Sequence, residues 1–87
     1  MRYLCQGLES RTKMELLFRL TKHNDNTKKA LLAHFTDNYS IGYAAIMGGV
    51  EASNLSRAVK ELNAIAEVME KVYEEKYQLS DINKLTK

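Results

Sequence analysis

The stretch 40–60 most constrains the fold of this chain, because its small and apolar residues stand at offsets that two short crossing helices require. Counted from residue 41, positions five, nine, ten and fifteen are Ala45, Gly49, Val50 and Leu55. A steep crossing needs a small residue at the contact, a glycine able to take positive φ in the turn, and apolar residues that lock the second helix. The pattern predicts a helix-turn-helix unit at about 40–62. An αα-hairpin with a glycine turn is the plainer alternative.

The rest of the chain has the composition of a helical protein, with no proline, four glycines and 28% charged residues. Ser10 or Thr12 can cap a helix that runs to about residue 22, and Asp25 or Asn26 can cap one at about 27–37. After Gly49, apolar residues recur at intervals of three and four residues, which predicts a long helix at about 52–76. We expect one all-α domain, 1–87, of four to five helices, with flexible ends at 1–8 and 78–87.

The apolar stripes of the first and last helices are wide enough to face either their own domain or a second subunit. A single core is marginal in a chain of 87 residues, and association commonly adds stability at this size. We therefore expect a homodimer or higher oligomer, although intrachain packing explains the same stripes equally well. The residues predicted to mediate self-association are Met14, Leu17, Leu62, Ile65, Met69 and Val72.

Few residues here are suited to catalysis or metal binding. Cys5 is the only cysteine, and the two histidines, His23 and His34, lack carboxylates at ligand spacing on the same face. We expect no enzyme activity, cofactor, metal or small-molecule substrate, and we interpret both histidines as surface or packing residues. The opening residues contain no run long enough for a signal peptide, and no apolar run reaches membrane-spanning length, so we expect a cytoplasmic protein without membrane contact.

Charge is distributed unevenly along the chain although the net charge is only +2. Residues 1–29 contain seven basic and three acidic residues, whereas 61–75 contain one basic and five acidic residues. A helix-turn-helix unit of this polarity suits double-stranded DNA, because the second helix presents its first turns to the major groove. The predicted DNA contacts are Ser40, Tyr43, Ala52, Ser53, Asn54, Ser56, Arg57 and Lys60. Arg57 suits guanine, Asn54 suits adenine, and Lys60 suits phosphate.

The segment 27–77 resembles the adhesin-biosynthesis transcription regulators of enterobacterial fimbrial operons. The likeness lies in ALLAHF at 30–35, AA at 44–45, GV at 49–50 and LSRAVKEL at 55–62. It implies a small helix-turn-helix protein of the bacterial nucleoid that binds A/T-rich repeats in promoter DNA as an oligomer and tunes phase-variable expression. On the matching positions, Ser56 and Arg57 correspond to the family's Ser-Arg pair.

The chain departs from the family pattern in its short N-terminal part, in Gly48 at the turn and in Glu51, where a small polar residue is usual. Similar two-helix units also occur in plasmid and phage regulators, which is the first alternative function. A helical protein-interaction module that does not bind DNA is the second. Arg57→Ala separates DNA binding from a partner contact made through the long helix.

Overall fold

The computed structural model describes the backbone of residues 3–85 and the side chains of residues 3–75. Over the described backbone the chain forms four helices and no strand, which confirms the all-α prediction. The helices are α1 (Arg11–Phe18), α2 (Asp25–Phe35), α3 (Ile41–Gly48) and α4 (Ala52–Leu85). α2 packs against each of the other three, and α4 also contacts α1 and α3.

Three polar side chains cap the first three helices by accepting a hydrogen bond from an orphan amide. Ser10 caps α1 and Ser40 caps α3, both as predicted, through Oγ contacts to Lys13 N at 3.1 Å and Tyr43 N at 3.4 Å. The prediction that Asp25 or Asn26 caps α2 is wrong. Asn24 is the cap, and its Oδ1 accepts from Thr27 N at 2.8 Å.

The ends of the helices differ from the predicted ends in two places. α1 stops at Phe18 rather than near residue 22, because tighter turns follow, with Leu20 N bonded to Leu17 O at 3.0 Å. α4 continues to Leu85 instead of ending near residue 76, so residues 78–85 extend the same helix. A helix of 34 residues rises about 51 Å, which accounts for the longest dimension of the molecule, 56 Å.

Residues 3–8 lie against the helical core, so the prediction of a flexible N-terminal end is wrong for them. Leu4 is 1% exposed. The backbone amides of Tyr3 and Leu4 both donate to Asn63 Oδ1, at 3.1 and 2.9 Å, and so tie this segment to α4. Residues 1–2 and 86–87 of the predicted flexible ends lie outside the described residues.

Glu9 holds the start of α1 to the preceding segment. Its carboxylate accepts from Cys5 N at 2.7 Å and from Lys13 Nζ at 2.8 Å. Burial alone would raise the pKa of Glu9, but the hydrogen bonds from Lys13 and Cys5 and the charge of Lys13 outweigh it, so the pKa lies below its usual value.

One hydrophobic core joins residues 3–8 to all four helices. Its buried members are Leu4, Met14, Leu17, Phe18, Ala30, Leu31, Ala33, Phe35, Ala44, Ala45, Leu55, Ala58, Leu62 and Ala66. Met14, Leu17 and Leu62 are at most 3% exposed, so the prediction that they mediate self-association is wrong. These three side chains are buried by packing within the chain and offer no surface to a second copy.

Candidate nucleic-acid interface

The turn between α3 and α4 has the geometry predicted from its glycine. Gly49 takes φ +70°, while Val50 N donates to Ala45 O at 3.0 Å and Gly49 N to Ile46 O at 3.2 Å. This pair of bonds is a Schellman motif, which ends a helix on a left-handed residue. Leu55 is fully buried behind the turn and Ala45 is 3% exposed at the contact, so both predicted packing roles are confirmed.

Gly48 serves a purpose that was not predicted, since it belongs to α3 rather than to the turn and lies against α2. A Cβ built there would stand 2.6 Å from Asn26 O and 2.7 Å from Ala30 Cβ. The absence of a side chain therefore lets the end of α3 approach the first turn of α2. Only a close approach in three dimensions reveals this, because neighbouring glycines look equivalent in sequence.

The first turns of α4 separate an inward from an outward face. Leu55 and Ala58 point into the core, whereas Ser53, Arg57 and Lys60, at spacings of three and four, are exposed. These three side chains share one side of the helix and follow directly from the turn. The arrangement presents a hydroxyl, a guanidinium and an ammonium to the outside.

The remaining predicted contacts flank this outward face. Ala52, Asn54, Ser40 and Tyr43 are exposed and Ser56 is half-buried. Ser40, Ser56 and Lys60 come together, because all three line one cleft between the start of α3 and α4. The Tyr43 amide is bonded to the Ser40 cap and is therefore not free, while its phenol side chain is 68% exposed.

Asn54 lies on the other flank of α4. Glu61, seven residues further, occupies nearly the same angular position, and its carboxylate is 3.6 Å from Nε2 of His23 in the loop between α1 and α2. Asn54 therefore faces towards α1 and α2, about 60° around the helix from Arg57.

The cations of the outward face carry no intramolecular salt bridge. Among the described side chains, the ion pairs are those of Arg11, Lys13, His23 and Lys71 with glutamates, so Arg57 and Lys60 are not neutralised by a carboxylate. An unpaired guanidinium can donate two parallel hydrogen bonds to one acceptor pair without first breaking another contact.

His34 has a structural role, as expected for a packing histidine. It is 6% exposed, its Nδ1 lies 2.8 Å from Tyr39 O, and its ring meets Phe35 edge-on at 4.9 Å. Since a carbonyl can only accept, Nδ1 carries the proton and donates.

Among the described residues, no three His, Cys, Asp or Glu side chains gather as metal ligands would. Over the same part of the chain, no helix is long and apolar enough to cross a membrane.

Apart from Leu8 and Tyr39, the large exposed apolar side chains of the described residues form two sets. On α3, Tyr43, Ile46 and Met47 face outward, with Ile46 76% exposed. A second exposed set, on α1, the turn that follows it and α4, borders an apolar groove of about 250 Å³ that Leu16, Met69 and Tyr73 line. That second set, here called the α1/α4 stripe, comprises Leu16, Leu20, Val68, Met69, Val72 and Tyr73.

No protein-family model, curated protein or solved structure matches this chain. In the α3–turn–α4 unit, the glycine turn is followed directly by exposed hydrogen-bond donors on one side of α4.

Proposed function

We propose that this protein is a sequence-preferring DNA-binding transcription regulator whose α4 enters the major groove by its first turns. The observation that carries the proposal is the exposure of Ser53, Arg57 and Lys60 on one side of α4, directly after a glycine turn. Leu55 and Ala58 hold the opposite side of the helix in the core. Direct base readout requires a helix that is packed firmly on the core and carries hydrogen-bond donors with no intramolecular partner.

Each outward side chain has a definite task in this arrangement. Arg57 donates in fork geometry to O6 and N7 of a guanine, and Lys60 contacts a phosphate. Ser53 and Ser56 bond bases or phosphates, and the Ala52 methyl can pack on a thymine methyl group. Ser40 and Tyr43 bind the DNA backbone through their hydroxyls. Binding, not catalysis, is the proposed activity.

The target class follows from the family resemblance of the segment 27–77. We propose A/T-rich repeats in the promoter of a fimbrial or adhesin operon, read in the bacterial cytoplasm by a protein associated with the nucleoid. A plasmid or phage operator is the alternative target. With two cations on the outward face, one copy should bind weakly, and repeated sites would strengthen binding through several linked copies.

The Arg57→Ala variant tests the proposal. We expect it to weaken binding to the preferred duplex by about 1–3 kcal/mol and to reduce the preference over a scrambled duplex. Lys71→Ala is the control, because Lys71 is a cation of the same helix that lies 14 residues, about 21 Å, further along. Fluorescence anisotropy at two salt concentrations measures both variants. Equal affinities for the two variants would contradict the proposal.

Self-association through the α1/α4 stripe would supply the linked copies. Met69 is 47% and Val72 61% exposed, and both border or continue the apolar groove. Ile65, also predicted for this role, is only partly buried and packs beside the core. A second copy of the same stripe would remove these surfaces from water.

Placing a carboxylate in the stripe should therefore separate the copies. Met69→Asp is expected to raise the dissociation constant of the dimer at least about tenfold, since burying an unpaired charge costs more than 1.4 kcal/mol. Ala64→Asp adds the same charge on a different face of α4 and should leave the dimer intact. Sedimentation velocity distinguishes them, and an unchanged oligomer in Met69→Asp would exclude this interface.

The exposed apolar face of α3 favours one other function, a protein-interaction module. Tyr43, Ile46 and Met47 could contact an apolar partner while α4 serves only as a scaffold. In that case Arg57→Ala would leave the partner contact unchanged, whereas Ile46→Asp would abolish it.

A further inference from the structure

A second cationic surface lies beside the helix-turn-helix unit, in the cleft between α1 and α2. The cleft has a volume of about 690 Å³. Arg11 in α1 and Arg19, the residue that caps the end of α1, line one side of it, and Lys28 and Lys29 line it from α2. Basic side chains therefore stand on both walls of a single depression.

Intrachain contacts leave most of this positive charge available. Arg11 is paired with Glu15 at 3.2 Å. Arg19, Lys28 and Lys29 take part in none of the salt bridges or side-chain hydrogen bonds formed among the described residues.

The other two carboxylates that line the cleft are Asp25 and Asp37. Asp25 is the first residue of α2, and Asp37 follows the end of that helix. Asp25 precedes Lys28 and Lys29 by three and four residues and so shares their side of α2, whereas Asp37 lies two residues beyond Phe35, the last residue of the helix. Lys28 and Lys29 lie between them, so the middle of the α2 wall is basic.

The cleft is continuous with the α3–turn–α4 unit. Met47, in the last turn of α3, lines the same depression. The next residue, Gly48, allows α3 to approach so closely that an added Cβ would stand 2.6 Å from Asn26 O, in the first turn of α2. A linear polyanion lying along the start of α4 would therefore pass from the turn towards the cations of α2 and α1.

We propose that the α1/α2 cleft binds the phosphodiester backbone of the same DNA, outside the segment that α4 reads. This inference rests on the proposed function and adds Arg19, Lys28 and Lys29 to its binding residues. Their guanidinium and ammonium groups donate to phosphate oxygens, which strengthens binding without regard to sequence. The acidic stretch 61–75 of α4 repels phosphate, so the backbone leaves the reading helix on the α1/α2 side.

Paired substitutions in the full chain test the assignment. Arg19→Gln/Lys29→Gln removes two exposed cations of the cleft and keeps their hydrogen-bonding character. Lys71→Gln/Lys76→Gln removes the same net charge elsewhere, at two positions of α4 that lie at least eleven residues beyond Lys60. Circular dichroism verifies that both variants remain folded. Anisotropy is measured on an A/T-rich repeat duplex and on a scrambled duplex over a series of salt concentrations.

For the cleft variant we expect the slope of log K against log salt to become shallower by about 2, since each lost phosphate contact changes it by about 0.9. Affinity should fall about tenfold on both duplexes, with the preference between them unchanged. The control variant should keep the wild-type slope. A cleft variant that matches the control overturns the inference alone. The same holds if inorganic phosphate or polyglutamate, added at equal charge concentration, inhibits DNA binding by the wild type and by the variants to the same extent. Absence of wild-type binding to any duplex at low salt overturns this inference and the proposed function together.

Discussion

Truncation of Leu4 to alanine should lower the free energy of unfolding by about 3 kcal/mol, the middle of the range for buried leucines. Leu4 is 1% exposed, and it is the one leucine outside the helices that enters the core. Loss of its side chain leaves a cavity that the fold can close only by moving residues 3–8, which Asn63 holds to α4. Urea unfolding followed by circular dichroism measures the difference.

Leu8→Ala is the matched control, because it removes the same atoms from the same segment. Leu8 is 79% exposed, so we expect its truncation to change stability by less than about 0.5 kcal/mol. Equal, small effects at both positions would contradict the packing of the N-terminal segment on the core.

Gly48→Ala should destabilise the fold by about 2 kcal/mol even though alanine favours helices. The new Cβ would stand 2.6 Å from Asn26 O and 2.7 Å from Ala30 Cβ, so two helix backbones have to separate. That cost exceeds the gain of up to about 1 kcal/mol that alanine brings over glycine in a helix. Thermal or urea unfolding is again the measurement.

The same substitution at Gly42 is expected to act in the opposite direction. Gly42 also belongs to α3, but a Cβ there meets no atom within 4 Å. Gly42→Ala should therefore raise the free energy of unfolding by up to about 1 kcal/mol. If Gly48→Ala were also stabilising, the close approach of α3 to α2 would be wrong.

Local patterns predicted the parts of the fold that local chemistry determines. The recurrence of apolar residues at three and four identified α4, and the offsets from Ala45 to Leu55 identified the turn. Ser10 and Ser40 cap helices as expected, and Gly49 takes the positive φ predicted for it. The end of α4 was placed too early, although nothing in the sequence after Gly49 breaks a helix, since neither glycine nor proline follows.

Features that depend on distant residues were missed. The burial of Leu4 depends on Asn63, 59 residues away, and the need for Gly48 depends on Asn26 in another helix. For the candidate site, helical periodicity predicted that Ser53, Arg57 and Lys60 are exposed, and the structure adds that they share one side of α4. It could not decide which apolar residues were left over for a second copy, because Met14, Leu17 and Leu62 fit an intrachain core and an interface equally well.

The central claim is that the outward face of α4, beginning at the turn, contacts double-stranded DNA. A titration of the isotope-labelled protein with an A/T-rich duplex, followed by amide chemical-shift changes, tests it most directly in a chain of this size. We expect the largest changes at Ser53, Arg57 and Lys60 and smaller ones near Ser40 and Tyr43, while 67–75 stays unperturbed apart from any shifts caused by self-association. No shift changes at low salt, or changes confined to the α1/α4 stripe, would contradict the claim.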